Sequence, residues 1–175
     1  MKKIIISALV VFFAATLFSC QKEALQQPVS QPAKISATTS QWLGLSFTEV
    51  WTTPTTRNLV FQSADHIINP AISYNPTTDV SLAYAKIAGN NNNSYYRIPG
   101  VISTSTQNLD LAFSLTPASF NVSISNAGNH SLMPDATLFT SYRFRYIVIL
   151  RTTYESLNID WNNYYAVAAA LNISL

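Results

Sequence analysis

Two histidines, eight carboxylates and a surplus of aromatic rings are the residues of this 175-residue chain that could carry chemistry. His66 follows Ala64-Asp65, and His130 sits in Gly128-Asn129-His130-Ser131. A small hydrolase would use either histidine as base, with a serine nucleophile and an orienting acid converging on it. No Gly-x-Ser-x-Gly elbow is present, and both histidines stand in turn-like surroundings where a solvated ring is the expected state. Asp65 or Asp135 beside the histidines lacks the spacing of a metal site. The acids never pair closely in sequence, so a two-carboxylate glycosidase has no local signature either. No catalytic residue, metal or cofactor is therefore expected, and the chain reads as a non-enzyme.

The aromatic residues offer a different chemistry. Trp42, Trp51, Tyr95, Tyr96 and Trp161 form a candidate stacking platform for sugars, led by Trp51, Tyr95 and Tyr96, with asparagines supplying hydrogen bonds. The competing role for such rings is to fill a β-rich core and its rim, where one apolar face and one polar tip are both useful. Arg143 and Arg145 share strand parity and could meet an anionic ligand; cross-strand pairing with Asp110 or Glu155 is the plainer alternative.

Cys20 is the only cysteine, which excludes an intramolecular disulfide and a cysteine-based zinc site. Ahead of it, Lys2-Lys3 and the apolar run Ile4 to Phe18 have the length and flanks of a secretory signal. A spanning helix needs roughly 18 or more apolar residues. Leu17-Phe18-Ser19-Cys20 resembles the lipobox of bacterial lipoproteins, with Phe18 bulkier than usual at its position. That resemblance implies cleavage before Cys20, a diacylglyceryl thioether on its sulfur and an acyl chain on the new amino group. Several chains at about 0.8 kcal/mol per buried CH₂ make a firm anchor. Residues 1–19 are then a signal peptide, and the membrane is a partner through the lipid on Cys20.

Removing the leader changes the charge balance. Of the 10 Lys and Arg, Lys2 and Lys3 belong to the leader, which leaves eight bases against the 8 Asp and Glu. A formally neutral chain has no basic stripe for nucleic acid. Residues 20–40, rich in Gln, Ser, Thr and Pro, read as a lipidated tether. Within it, Gln21-Lys22-Glu23 is similar to the start of the surface-export signal of Bacteroidota-type lipoproteins, which implies outward exposure; solvation of the tether is the alternative.

From residue 41 the texture is that of short alternating runs between turn residues. Leu43, Leu45 and Phe47 alternate, as do Val80, Leu82 and Tyr84, and Leu109, Leu111, Phe113 and Leu115. Asn75-Pro76-Thr77-Thr78-Asp79 is a turn signal, and Asn90 to Asn93 a hairpin connection. The longest strand candidate, Thr137 to Leu150, puts Tyr142, Phe144, Tyr146 and Val148 on one face. Its other face carries Arg143 and Arg145 and should be half exposed near the middle. One helix is expected at the C-terminus, capped by Asp160 or Asn162, with Tyr164, Tyr165, Val167, Ala168 and Leu171 on its apolar stripe and Asn172 ending it. The fold class is all-β: residues 41–175 form an antiparallel β-sandwich with a short C-terminal α-helix.

Three segments carry a further likeness: Asp79 to Tyr84, Tyr95-Tyr96-Arg97-Ile98-Pro99, and Tyr142 to Ile149 followed by Ile159 to Val167. Across roughly residues 79 to 173 the chain resembles small Bacteroidota lipoproteins, some with collagen-like repeats before the domain. Leu150-Arg151 replaces the Pro-Gly usual after that strand, and no collagen-like repeat occurs, so no trimer is implied. The resemblance implies fold and address, without an activity. The expectation is an exported lipoprotein anchored to the outer membrane, within the envelope or exposed at the surface, with a structural or binding role toward a glycan or protein. A carbohydrate- or host-surface-binding module is the alternative.

Overall fold

A strand sends successive side chains to opposite faces, and the central strands of this chain bury both sets. The computed structural model describes residues 35–51, 59–88, 94–104, 106–127 and 140–175. The leader, Cys20, Lys22-Glu23, the tether as far as residue 34, Asn90 to Asn93, His130, Asp135 and the Trp51 side chain lie outside the described residues.

Among these residues ten strands and two helices follow in order. They are β1 (Ala37–Thr39), β2 (Phe47–Trp51), β3 (Leu59–Ser63), β4 (His66–Ile67), β5 (Asp79–Ile87), β6 (Tyr95–Ile98), β7 (Gly100–Ser103), β8 (Asn108–Leu115), β9 (Ser119–Asn126) and β10 (Tyr142–Leu150). Helices α1 (Arg151–Ser156) and α2 (Tyr164–Leu171) complete the chain. One antiparallel sheet has the order β1-β10-β5-β6, the other β2-β3-β9-β8-β7, with β4 also paired to β9. This is the expected all-β sandwich.

The two sheets share an inner core. Ala83 and Ala85 of β5, with Tyr142, Phe144, Tyr146 and Val148 of β10, meet Leu109, Leu111, Phe120, Val122 and Ile124 from the second sheet. Leu43, Leu45 and Phe47 pack against the same cluster, as their alternation predicts, although only Phe47 begins a regular strand. Leu43 instead bridges Phe144.

The outer face of the first sheet has its own core. Leu82 and Tyr84 of β5 and Ile147 and Ile149 of β10 are covered by Tyr164, Val167, Ala168 and Leu171 of α2. Four residues of the expected stripe therefore dock where an isolated helix of this length would be marginal, whereas Tyr165, next to Tyr164 on the helix, is 48% exposed and outside this core. Asn163 caps it, accepting from Tyr165 N at 3.1 Å and Ala166 N at 3.4 Å. Neither Asp160 nor Asn162 is the cap: the Asp160 side chain accepts from Asn162 N (2.9 Å) and shapes the preceding turn. Asn172 ends the helix at φ 52°, ψ 48°, the left-handed conformation that asparagine tolerates.

Two local features depart from expectation. Residues 37–39, inside the expected tether, form an edge strand on β10, and Ile35 packs on the outer core. Ala-Thr-Thr has no hydrophobic alternation, so only its partner strand makes it a strand. Helix α1 follows β10 directly, where Leu150-Arg151 left the loop open; it buries no residue and so left no periodic signal. Arg151 N donates to Thr78 O at 2.8 Å, tying that helix to the Asn75–Asp79 turn. The turn forms as expected, with Asn75 Oδ1 accepting from Thr77 N (3.0 Å) and Asp79 Oδ2 from Asn75 N (2.8 Å).

The chain passes between sheets at the β6–β7 corner, Ile98-Pro99-Gly100, where the Ile98–Pro99 bond is cis. A Cβ on Gly100 would stand 2.7 Å from the Arg97 carbonyl oxygen, so this close approach needs glycine.

Candidate functional site

Register, read along the outer face of the first sheet, assembles the polar residues. Arg145 of β10 lies opposite Tyr84 of β5, and Tyr84 opposite Arg97 of β6. One pleat further along, Arg143 faces Lys86 and Lys86 faces Tyr95. Two adjacent rows therefore interleave four cations with two tyrosines. The segment before β2 adds Trp42, and α2 adds Tyr164 and Tyr165.

The rings are engaged with one another. Tyr95 stacks on Tyr164 (centroids 4.5 Å, 28°) and meets Tyr165 edge-on at 5.1 Å. Trp42 contacts Tyr95 at 5.6 Å and Tyr164 at 5.3 Å, and Tyr84 meets Tyr164 at 5.0 Å. Lys86 Nζ lies 4.5 Å from the Trp42 centroid, and the Arg145 guanidinium carbon 4.6 Å from it. Such contacts offset part of the cost of moving a cation out of water.

Arg145 is only 4% exposed. Its expected half exposure is not observed, because α2 and the C-terminal segment cover this side of β10. Its Nη1 donates to the Tyr164 hydroxyl and to the Ser174 carbonyl, and Nη2 to Ser174 Oγ at 3.4 Å. The expected pairing with Asp110 or Glu155 does not form. Asp110 is exposed in β8 of the other sheet, and Glu155 is exposed on α1. Arg143 donates instead to Thr140 O (3.0 Å) and Tyr142 O (2.9 Å). Among the described residues no carboxylate lies within ion-pair distance of Lys86, Arg143 or Arg145.

Titration follows this environment. Burial and then the neighbouring Arg145 charge hold the Lys86 ammonium below its ordinary range. Burial pushes the Tyr164 phenol up, with Arg145 partly opposing it. Burial likewise raises Tyr95 and, more strongly, Tyr84, whose hydroxyl donates to Trp161 O at 2.6 Å. Two donors in the cluster are buried and unpartnered: Trp42 Nε1 and Arg145 Nε.

The sequence-derived platform does not assemble as one surface. Tyr95 and Tyr96 are adjacent in β6 and so face opposite ways; Tyr96 packs on the inner core. Trp51 closes β2 in the other sheet, opposite Leu59. Trp161 stacks on Tyr154 at 4.4 Å, and its carbonyl also accepts from Arg97 Nη1 at 3.3 Å. Of the four whose side chains are described, Trp42 and Tyr95 come together. Lys86, Tyr164 and Tyr165 are the members that sequence reasoning missed. Lys86 shares parity with Tyr84, but only pairing of β5 with β10 puts it beside Arg143.

The hydrolytic candidate fares differently. Asp65 accepts from Asn121 Nδ2 at 2.8 Å, while His66 stands in β4 opposite Phe120. Among the described residues no group of three His, Cys, Asp or Glu could hold a metal ion. No helix among them is long and apolar enough to cross a membrane. No family model matches the chain, and no curated protein or solved structure is significantly similar to it.

Proposed function

We propose that this chain is an exported lipoprotein, anchored in the outer membrane through Cys20 and exposed at the surface, whose sandwich domain has a non-enzymatic structural or binding role. The lone Cys20 behind a charged start, an apolar run and Leu17-Phe18-Ser19 carries this reading. An exported chain gains nothing from a single free thiol, whereas lipidation consumes it. The likeness to small Bacteroidota lipoproteins and Lys22-Glu23 behind the cysteine support the same address.

A second reading, a carbohydrate- or host-surface-binding module, is favoured by the rings and cations on the outer face of the first sheet. Rings with a polar rim suit sugars, and cations without carboxylate partners suit an acceptor from outside the chain. Metabolic labelling with an alkyne fatty acid tests the anchor. Wild type should label and partition into detergent, and Cys20→Ala should do neither; a labelled Cys20→Ala protein refutes the assignment.

A further inference from the structure

We infer that the end of the outer face formed by Lys86, Arg143 and Arg145 binds the carboxylate or sulfate of an acidic sugar. This rests on the binding-module reading and supplies its ligand class. Lys86 stands directly across from Arg143, with Arg145 on the diagonal. Like charges directly opposite in a sheet destabilise it, so such a cluster needs anions from elsewhere. The described part of the chain supplies none within ion-pair distance.

The three cations are held in different ways: Arg143 and Lys86 keep donors for an arriving acceptor, while Arg145 is buried with its Nη donors met by Tyr164 and Ser174. Arg143 is fixed by the Thr140 and Tyr142 carbonyls, both through Nη1, which leaves its other N–H groups for a ligand. Gly44 lies alongside its guanidinium, where a Cβ would stand at an ordinary van der Waals distance of 3.6 Å from Cζ, Nε and Nη1, and Arg143 stays half-buried. The Lys86 ammonium, half-buried against Trp42 and Tyr95, makes no hydrogen bond among the described residues. Arg145 lies beneath them, and the unpartnered N–H groups of Arg145 Nε and Trp42 Nε1 add partial positive charge to the floor.

A sugar fits this geometry better than a polyanion or a bilayer. With the leader gone the chain is formally neutral, so it lacks the extended basic field that binds polyanions and anionic membranes. The positive charge is confined to two pleats, enough for one oxyanion. Beside it Tyr95 is half-buried and meets the 48% exposed Tyr165 edge-on, which offers ring edges to the sugar that bears the acid.

The test uses the full-length lipidated protein held in detergent-free phosphatidylcholine nanodiscs. Calorimetric titration would compare trigalacturonate, its neutral methyl ester, a sulfated galactose trisaccharide, sodium sulfate alone and phosphatidylglycerol vesicles. An acidic trisaccharide should bind about tenfold or more tightly than the methyl ester, since a charge-assisted contact is lost on esterification. Lys86→Gln and Arg143→Gln should each weaken the acid by a similar factor and leave the ester unchanged. Lys86→Gln removes a repulsion, so its melting temperature should not fall, which separates lost binding from lost folding.

Equal affinity for acid and ester overturns the assignment, as does binding to the vesicles or to sulfate with no response to either acidic sugar. A protein that binds neutral glycans on an array but neither acid loses the anion site and keeps the binding-module reading. One silent to every sugar loses both.

Discussion

Arg145, in the middle of β10, donates to the hydroxyl of Tyr164 at the start of α2, and that hydroxyl donates onward to Ser174 O at 3.1 Å. A guanidinium taken out of water without a counter-ion costs several kcal/mol unless its donors are met. Here the helix and the C-terminal segment meet the Nη donors and leave only Nε, so the charge that disrupts the strand's apolar pattern also fastens the helix layer to the sheet.

Tyr164→Phe keeps the ring stack on Tyr95 and removes the acceptor. Leaving a buried charged donor unmet should cost about 1–3 kcal/mol. Urea denaturation should show a lower midpoint with unchanged slope; an unchanged midpoint would mean that Ser174 alone satisfies Arg145.

Alkaline pH should weaken the fold from the tyrosine side. Burial raises Tyr84, Tyr164, Tyr142 and Tyr146 in the folded chain, while unfolded tyrosines ionise near about pH 10. Below that value both states keep the proton and nothing changes. Above it the unfolded state binds fewer protons, so stability falls by about 1.4 kcal/mol per pH unit for each such tyrosine. Lys86, held low, acts in the opposite sense on approach to its ordinary value. Unfolding measured between pH 8 and 11 should drop above 10, less steeply in Tyr84→Phe; identical slopes would refute the role of Tyr84.

Gly100→Ala should strain the corner between the two sheets. Its Cβ would meet Arg97 O at 2.7 Å, a backbone atom that cannot swing away as a side chain would. The expected loss is about 1–3 kcal/mol, read as a lower melting temperature.

Asn163→Ala should cost about 1 kcal/mol by leaving the Tyr165 and Ala166 N–H groups uncapped. Asp160→Ala, which disturbs only the turn, should cost less. Equal losses would contradict the cap assignment.

Period-two alternation is a local property, and it was enough to place Val80, Leu82 and Tyr84 on one face of β5 and Tyr142, Phe144, Tyr146 and Val148 on one face of β10. The apolar stripe of α2 and its end at Asn172 were equally legible, because spacing and left-handed tolerance are written in residue type. The N-terminal cap of α2, Asn163, was harder, since Asp160, Asn162 and Asn163 offer the same chemistry within one turn of chain. Strand β1 and helix α1 carry almost no pattern, and each exists through what it is joined to: β1 to β10, α1 to the Asn75–Asp79 turn.

By itself the sequence determined the strand faces, the sandwich class and the isolation of Cys20. Alternation tells which residues share a face, but nothing about what covers that face. The tertiary structure decided that Arg145 is buried under α2, that Lys86 stands against Arg143, and that Tyr95 joins Trp42 while Tyr96 turns to the inner core. Those outcomes depend on strand register and on a helix packed from far along the chain, long-range pairings that no short window of residues contains.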